Sequence, residues 1–161
     1  MNIPQELLRL CFEEGALRYP EEACGLISGP VSDPEALGEF HPIANQLNRM
    51  HDLDPERYPR TAREGYYLDP MTLLKLERSL KERGQEVRVI FHSHPDVGAY
   101  FSEEDRQRAL WDGHPVYPGV QYLVCGIQAG RPDGAILATF DEEKGNFHVS
   151  KVLPARAEPM S

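Results

Sequence analysis

Apolar residues recur at roughly helical spacing in two segments of the chain, and this pattern predicts a helix in each. The first helix is expected from Pro4 to Leu17. The second is expected from Asp69, whose side chain can cap free N–H groups, through Pro70 to Gly84. A third helix is expected to begin at Ser102 and to run to about Asp112.

Short apolar or alternating runs between turn residues predict six strands. They are Cys24–Gly29, Gly38–Ala44, Val87–His92, Val120–Ile127, Ala135–Phe140 and Phe147–Leu153. The first two are candidates for a hairpin. Helices and strands therefore alternate in type along the chain, which predicts a mixed α/β domain.

The chain length of 161 residues fits one domain of ordinary size, so residues 1–161 are expected to form a single unit. The segment from Asn48 to Gly65 is polar and rich in Asp, Arg and Pro, which is typical of an exposed loop. It is too short for a domain linker. Residues 154–161 are expected to form a C-terminal tail.

The formal charge is 17 minus 26, or -9, and no segment concentrates Lys and Arg, which disfavours a nucleic-acid partner. No apolar run approaches the roughly 18 residues of a membrane span, and the N-terminus lacks the pattern of a signal peptide. We therefore expect a cytoplasmic protein without membrane attachment. Cys11, Cys24 and Cys125 are odd in number and form no CxxC pair, so free thiols are expected, with Cys24 in the core.

The candidate chemistry begins with His92-Ser93-His94-Pro95 at the end of a predicted strand. Side chains in a strand alternate between its two faces, so the two imidazoles point to the same side and can share a metal ion. Asp105, on the next predicted element, would complete a three-ligand site with an open fourth position for water. Catalytic zinc is held in this way, whereas structural zinc has four protein ligands.

The same residues also have simpler interpretations. Ser102 and Asp105 have the spacing of a capping box, so both could serve only the start of the third helix. His92 and His94 could be ordinary residues at a strand end. A zinc hydrolase also needs a carboxylate as general base, and the candidate is Glu22, immediately before the first strand. Spacing alone does not distinguish Glu22 from the other glutamates, and it could be a solvated loop carboxylate.

Together, Glu22-Ala23-Cys24-Gly25 and His92-x-His94-x7-Ser102-x-x-Asp105 resemble the JAMM (MPN+) metalloprotease family over most of the chain. The resemblance implies a curved mixed β-sheet flanked by helices, with a core similar to that of cytidine deaminases. It also implies one zinc ion held by His92, His94 and Asp105, Glu22 as the acid/base, and Ser102 as a hydrogen-bond donor to the oxyanion. The segment 48–65 lies where family members carry a variable insertion.

The functional expectation is a zinc hydrolase that cuts an amide or isopeptide bond. The alternative is a non-catalytic MPN-type scaffold or partner-binding module, but such modules usually lose the ligand set that is intact here. The HExxH motif of other metalloproteases and the H-x-E with P-C-x-x-C motif of deaminases do not occur. The small size resembles prokaryotic JAMM proteins, which implies a ubiquitin-like or sulfur-carrier protein as substrate, cut after a C-terminal Gly-Gly.

Overall fold

This computed structural model describes residues 2–152, which contain four helices and eight strands. The helices are α1 (Gln5–Arg18), α2 (Leu47–Leu53), α3 (Pro70–Glu82) and α4 (Glu103–Ala109). The strands are β1 (Cys24–Pro30), β2 (Glu39–Ile43), β3 (Gln85–Pro95), β4 (Leu110–Trp111), β5 (His114–Pro115), β6 (Gln121–Gln128), β7 (Arg131–Asp141) and β8 (Asn146–Lys151).

Six of these strands form one mixed sheet in the order β2-β1-β3-β6-β7-β8. Strands β3 and β6 run parallel, and the other neighbouring pairs are antiparallel. The hairpin expected for the first two strands is confirmed, with Cys24 opposite Ile43. Cys24 also lies opposite His92 on β3, so the start of β1 meets the His pair. The predicted α/β class and single domain are confirmed.

Each face of the sheet packs against helices, and β3 is therefore buried on both sides. Val89 and Phe91 belong to the cluster that includes Leu7, Leu8 and Cys11 of α1. Ile90, between them, belongs to the second cluster, which includes Leu73 of α3 and Ala109 of α4. Strand alternation thus places His92 on the α3 and α4 side, the same side as Ile90. The three cysteines are buried and unpaired, as expected.

The predicted starts of α3 and α4 are confirmed by their capping contacts. Asp69 accepts a hydrogen bond from the N–H of Thr72 at 3.1 Å, and Pro70 is the first residue of α3. Ser102 caps α4 in a capping box with Asp105. The first helix begins and ends one residue later than expected.

Two predicted boundaries are wrong. The segment 48–65 was expected to be an exposed loop, but it begins within α2, and Ala62 and Gly65 are buried. The helix forms because Leu47 is buried, although the surrounding residues are polar.

Helix α4 ends at Ala109 and not near Asp112, because Leu110 and Trp111 pair with His114 and Pro115 in the ribbon β4–β5. Asp112 and Gly113, which connect these strands, both have positive φ, as a tight hairpin turn requires.

The predicted strands are all present, with shifted ends. Strand β3 extends through His94 to Pro95, and β7 begins at Arg131, four residues earlier than expected. Leu153 and the proposed tail 154–161 lie outside the described residues. Within residues 2–152, none of the helices has the length and apolar character needed to cross a membrane.

Candidate active site

His92 and His94 lie side by side at the end of β3, on the face of the sheet that carries α3 and α4. Their Nε2 atoms are 3.2 Å apart, and both side chains are buried. The backbone stays extended through His94 to Pro95, which explains the shared direction of the two rings. The structure therefore brings the two rings together as the sequence predicts. This convergence of the Nε2 atoms disfavours the alternative that the two histidines are unrelated residues at a strand end.

Asp105 joins the pair from the first turn of α4. Its Oδ2 atom lies 3.2 Å from Nε2 of His92 and 3.5 Å from Nε2 of His94. The same Oδ2 accepts the backbone N–H of Ser102 at 3.0 Å, and Ser102 Oγ accepts the N–H of Asp105 at 3.0 Å. The capping box thus exists, and it fixes the carboxylate in front of the imidazoles. The two interpretations of Asp105 are compatible.

The spacing of these three atoms fits a metal ion. Ligand atoms about 2.0–2.2 Å from a tetrahedral zinc ion lie roughly 3.3–3.6 Å from one another. The three observed distances, 3.2, 3.2 and 3.5 Å, are close to this range. In addition, Nδ1 of His94 lies 3.2 Å from the carbonyl oxygen of Gly98, so this nitrogen carries the hydrogen and Nε2 offers a lone pair.

Glu22, which lies two residues before the start of β1, completes the cluster. Its carboxylate and the ligand nitrogens of His92 and His94 all lie within 4.8 Å of one another, a buried group that could bind a metal ion. Asp105 approaches both nitrogens more closely, so the geometry favours Asp105 as third ligand. Glu22 is only 5% exposed, and the interpretation of Glu22 as a solvated carboxylate is therefore wrong.

Burial sets the protonation of the cluster. Burial, and after it the negative charge of Asp105, raise the pKa of Glu22 to about 9. Burial also lowers the pKa of His92, which favours the neutral imidazole that binds metals. Burial alone would raise the pKa of Asp105, but the nearby imidazoles of His92 and His94 and the hydrogen bond from the Ser102 N–H outweigh this effect. The pKa of Asp105 is consequently lowered and this group is the anion.

The cluster opens into a cavity of about 160 Å³. Arginine and glutamate side chains form part of its wall. Glu104 binds both Arg60, at 2.9 Å, and Arg108, at 3.3 Å. Other residues that line the cavity are Glu22, Tyr66, His94, Tyr100, Ser102 and Asp105. All but His92 of the five residues proposed from the sequence thus line the same cavity, and His92 lies buried behind it.

Two residues that the sequence did not single out also contribute. The ring of Tyr66 stacks on His92, with centroids 4.5 Å apart and an angle of 23° between the planes. Asn45 donates from its side chain to the carbonyl oxygen of Glu22. Neither residue has a fixed spacing to the His pair. The aromatic pair Tyr66-Tyr67, at the end of a polar segment, is a signal that could have indicated a partly buried anchor there.

Comparison with known families agrees with this geometry. The family described as prokaryotic homologs of the JAB domain, Prok-JAB, matches residues 4–152. The chain belongs to this family, which confirms the resemblance deduced from the motifs.

Two relatives have names that describe an activity. A desampylase from Haloferax volcanii is 31% identical over 119 residues, covering 74% of this chain and 68% of the relative. A probable TtuB-protein conjugate cleaving protease from Thermus thermophilus is 28% identical over 144 residues, covering 86% of this chain and 80% of the relative. Both named relatives are hydrolases.

Solved structures show the same fold at lower sequence identity. A solution structure of a Salinibacter ruber protein has a TM-score of 0.62 and 22% identity, covering 98% of this chain and 94% of its own. A solution structure of a Desulfitobacterium hafniense protein has a TM-score of 0.63 and 21% identity, covering 92% of this chain and 88% of its own. These similarities extend over nearly the whole described chain.

Proposed function

We propose that this protein is a zinc-dependent JAMM-type peptidase or isopeptidase. It would hydrolyse an amide bond after the C-terminal Gly-Gly of a ubiquitin-like or sulfur-carrier protein. The observation that supports this most directly is the convergence of Asp105 with the Nε2 atoms of His92 and His94. A carboxylate with a raised pKa, Glu22, stands beside them at an accessible cavity.

His92, His94 and Asp105 would hold the zinc ion, which leaves one coordination position open. When bound, zinc lowers the pKa of a water molecule and polarises the carbonyl group of the scissile amide. The protein keeps its three ligands in place through β3, the capping box of α4 and the hydrogen bond from His94 to Gly98.

Glu22 would act as the general base and then as the general acid. It takes a proton from the attacking water as the oxygen bonds to the carbonyl carbon. It returns that proton to the amide nitrogen as the C–N bond breaks, so that a free amine leaves. Because burial and the charge of Asp105 raise the pKa of Glu22 to about 9, its carboxylate needs a neighbouring cation to ionise at neutral pH.

Ser102 would stabilise the negative charge that develops on the carbonyl oxygen. Its Oγ accepts the N–H of Asp105, and within residues 2–152 its hydroxyl hydrogen has no acceptor. This hydrogen can therefore point into the cavity, which Ser102 lines. A donor that is already oriented before the reaction stabilises an oxyanion strongly.

The substrate class is inferred from the cavity and from the two named relatives. Zinc and a general base hydrolyse many amides, so selectivity must come from the surface beside the cluster. A cavity of about 160 Å³ suits a narrow, extended chain, and glycine brings no side chain near the metal ligands. The names of the relatives, a desampylase and a TtuB-conjugate protease, agree with a carrier-protein substrate. Arg60, Arg63 and Glu64 of the segment 48–65 line the cavity and would contact the carrier.

The decisive experiment incubates zinc-loaded protein with a carrier extended beyond Gly-Gly and determines the product masses. We expect cleavage directly after Gly-Gly. Glu22→Gln should retain zinc and lose most of the activity, because Gln cannot accept a proton. Glu21→Gln is the matched control, since the neighbouring Glu21 lies outside the cavity lining, and it should remain active.

Three results would change the proposal. Equal cleavage at unrelated sequences would remove the carrier specificity but not the hydrolase. Full activity of Glu22→Gln would assign the general base to another residue. Zinc binding without hydrolysis of any carrier would favour the non-catalytic scaffold.

A further inference from the structure

Asn45 follows the end of β2, and its side-chain amide forms four hydrogen bonds, all with backbone groups. Nδ2 donates to the carbonyl oxygen of Glu22 at 2.9 Å and to that of Gly65 at 3.0 Å. Oδ1 accepts the N–H groups of Leu47 and Tyr67, each at 3.0 Å. An amide has two donor hydrogens and two acceptor lone pairs, so Asn45 uses its full capacity.

Three of these four partners lead directly to the candidate active site. The carbonyl group bound by Nδ2 belongs to Glu22, the proposed general base. Gly65 and Tyr67 flank Tyr66, whose ring stacks on His92. A single side chain therefore connects the backbone of the base with the backbone on both sides of the residue that packs against a metal ligand.

His92 has a particular need for this packing. Metal-binding histidines usually donate their second ring nitrogen to a carboxylate or carbonyl, which fixes the ring. Among the described residues, Nδ1 of His92 is buried without a hydrogen-bond partner. The flat contact with Tyr66 is thus the support that the structure provides for the orientation of this ring.

The backbone of Glu22 is likewise held by contacts with the stretch between β2 and α3. Its N–H donates to the carbonyl oxygen of Ala62 at 2.7 Å, and its carbonyl oxygen accepts from Asn45. Both contacts come from the stretch between β2 and α3. The distance between the Glu22 carboxylate and the imidazoles is therefore set partly by the bonds that tie this stretch together.

We propose that Asn45 is a positioning residue, which fixes the Glu22 carboxylate relative to the His92 ring. It does so through its hydrogen bonds to the backbone groups of Glu22, Gly65 and Tyr67. The proposal rests on the proposed function for the roles of Glu22 and His92. Its physical basis is that a displacement of about 1 Å at reacting groups can reduce the rate by about 10²-fold. Asn45 itself touches no reacting atom.

Asn45→Asp tests the proposal with almost no change in size. The carboxylate still accepts from Leu47 and Tyr67, but it loses both N–H donors and faces the carbonyl oxygens of Glu22 and Gly65. We expect unchanged zinc stoichiometry, a decrease in kcat of about tenfold or more, and little change in KM. Asn45→Ala, which introduces no charge, should also reduce kcat.

Asn48→Asp is the matched control. Asn48 accepts the N–H of Ala62 at 2.8 Å through Oδ1, which the variant keeps, and its Nδ2 donates to the side chain of Glu21. The control thus makes the same chemical change in the same stretch without breaking a bond to Glu22. Its kcat should stay within about twofold of the wild type, since exposed contacts of this kind contribute little.

Two readouts do not depend on turnover. In the metal-free protein, the ¹³C shift of the Glu22 carboxyl carbon should change in Asn45→Asp and not in Asn48→Asp. Hydrogen exchange should leave the Leu47 and Tyr67 amides protected in Asn45→Asp and expose them in Asn45→Ala. Wild-type kcat in Asn45→Asp, or an unmoved Glu22 signal, would overturn the proposal. Loss of zinc in Asn45→Asp would also overturn it, by indicating a general structural role. If the wild type hydrolyses no carrier, the proposed function fails, and the Glu22 signal alone decides the link to Asn45.

Discussion

At the scale of single residues, the buried carboxyl group of Glu22 destabilises the folded, metal-free protein at neutral pH. Its pKa in the folded chain is about 9, against 4.5 for an ordinary glutamate, first because of burial and then because of Asp105. Below about pH 4.5 the group is protonated in both folded and unfolded chains and costs nothing. As the pH rises above 4.5, only the unfolded chain ionises, so stability falls until the folded pKa is reached.

Glu22→Gln should therefore stabilise the metal-free protein at neutral pH. The gain grows by about 1.4 kcal/mol per pH unit and reaches roughly 3 kcal/mol at pH 7. Urea unfolding of both proteins at several pH values measures it. We expect the difference to disappear near pH 4.5. A difference that stays constant with pH would assign the gain to packing and not to the buried carboxyl.

Ser102 caps α4 and, in the proposed mechanism, also donates to the oxyanion, and a matched control can distinguish the two effects of its substitution. Ser102→Ala removes the cap of α4, which should cost about 1 kcal/mol of stability, and the oxyanion donor, which should reduce kcat by roughly 10²-fold. Asp69→Ala is the control, because Asp69 caps α3 in the same way and lies outside the cavity lining. It should lose similar stability and keep its kcat. Unchanged turnover in Ser102→Ala would leave the cap as its only role.

The sequence predicts part of this site for clear reasons. His92, His94 and Asp105 follow from strand alternation and a helix start, which are local patterns. Glu22 is separated from His92 by 70 residues, and only the family resemblance selected it. Asn45 and Tyr66 reach the site through backbone hydrogen bonds and ring stacking, which require no fixed sequence spacing to the His pair. They became visible only when the fold brought the stretch between β2 and α3 against the sheet.

At the scale of secondary structure elements, α1 packs closely against β3 and β6 at Gly15, on the face of the sheet opposite the His pair. A Cβ atom at Gly15 would lie 3.0 Å from Cδ1 of Ile127 and 3.2 Å from Cβ of Ser93. Ser93 in turn accepts the N–H of Ala23 at 2.8 Å and donates its own N–H to the carbonyl oxygen of Ala23 at 3.0 Å. The close approach of α1 thus supports the pairing that lies between Glu22 and the histidines.

Gly15→Ala should destabilise the protein although alanine is the better helix former. Helix propensity favours alanine by roughly 1 kcal/mol, but overpacking of a filled core costs about 1–3 kcal/mol, so a net loss of about 1 kcal/mol is expected. Denaturant midpoints provide the measurement. In an Ile127→Ala background, which removes both Cδ1 and Cγ1, each 3.0 Å from the added Cβ, the loss should become smaller. An equal loss in both backgrounds would contradict the steric explanation.

The element boundaries that the sequence missed have local causes. The sequence Asp112-Gly113 is typical of a two-residue hairpin turn, which limits α4 to Ala109. In the segment 48–65, polar composition suggested a loop, whereas α2 begins just before this segment at the buried Leu47, whose N–H donates to Asn45. Composition describes exposure on average, and a single buried anchor can override it.

At the scale of the whole molecule, the order of the strands depends on long-range pairing. The parallel contact of β3 with β6 joins strands separated by α4 and the ribbon β4–β5, and no single segment encodes it. This order leaves the end of β3 between β1 and β6, where Glu22 and α4 can both reach the His pair. The site therefore depends on elements from residues 22 to 105, and metal binding should be coupled to global stability.

We accordingly expect zinc to raise the melting temperature of the whole chain. A ligand at 100 times its dissociation constant adds about 2.7 kcal/mol of stability, equivalent to roughly 5–10 °C for a chain of this size. Thermal melts with zinc and with a chelator measure the difference. In Asp105→Ala the difference should largely disappear and bound zinc should fall, because the proposed third ligand is lost. His148→Ala removes an exposed imidazole on β8 and should respond to zinc like the wild type. A full zinc response in Asp105→Ala would exclude the three-ligand site and shift the third ligand to Glu22, the other carboxylate near the two nitrogens.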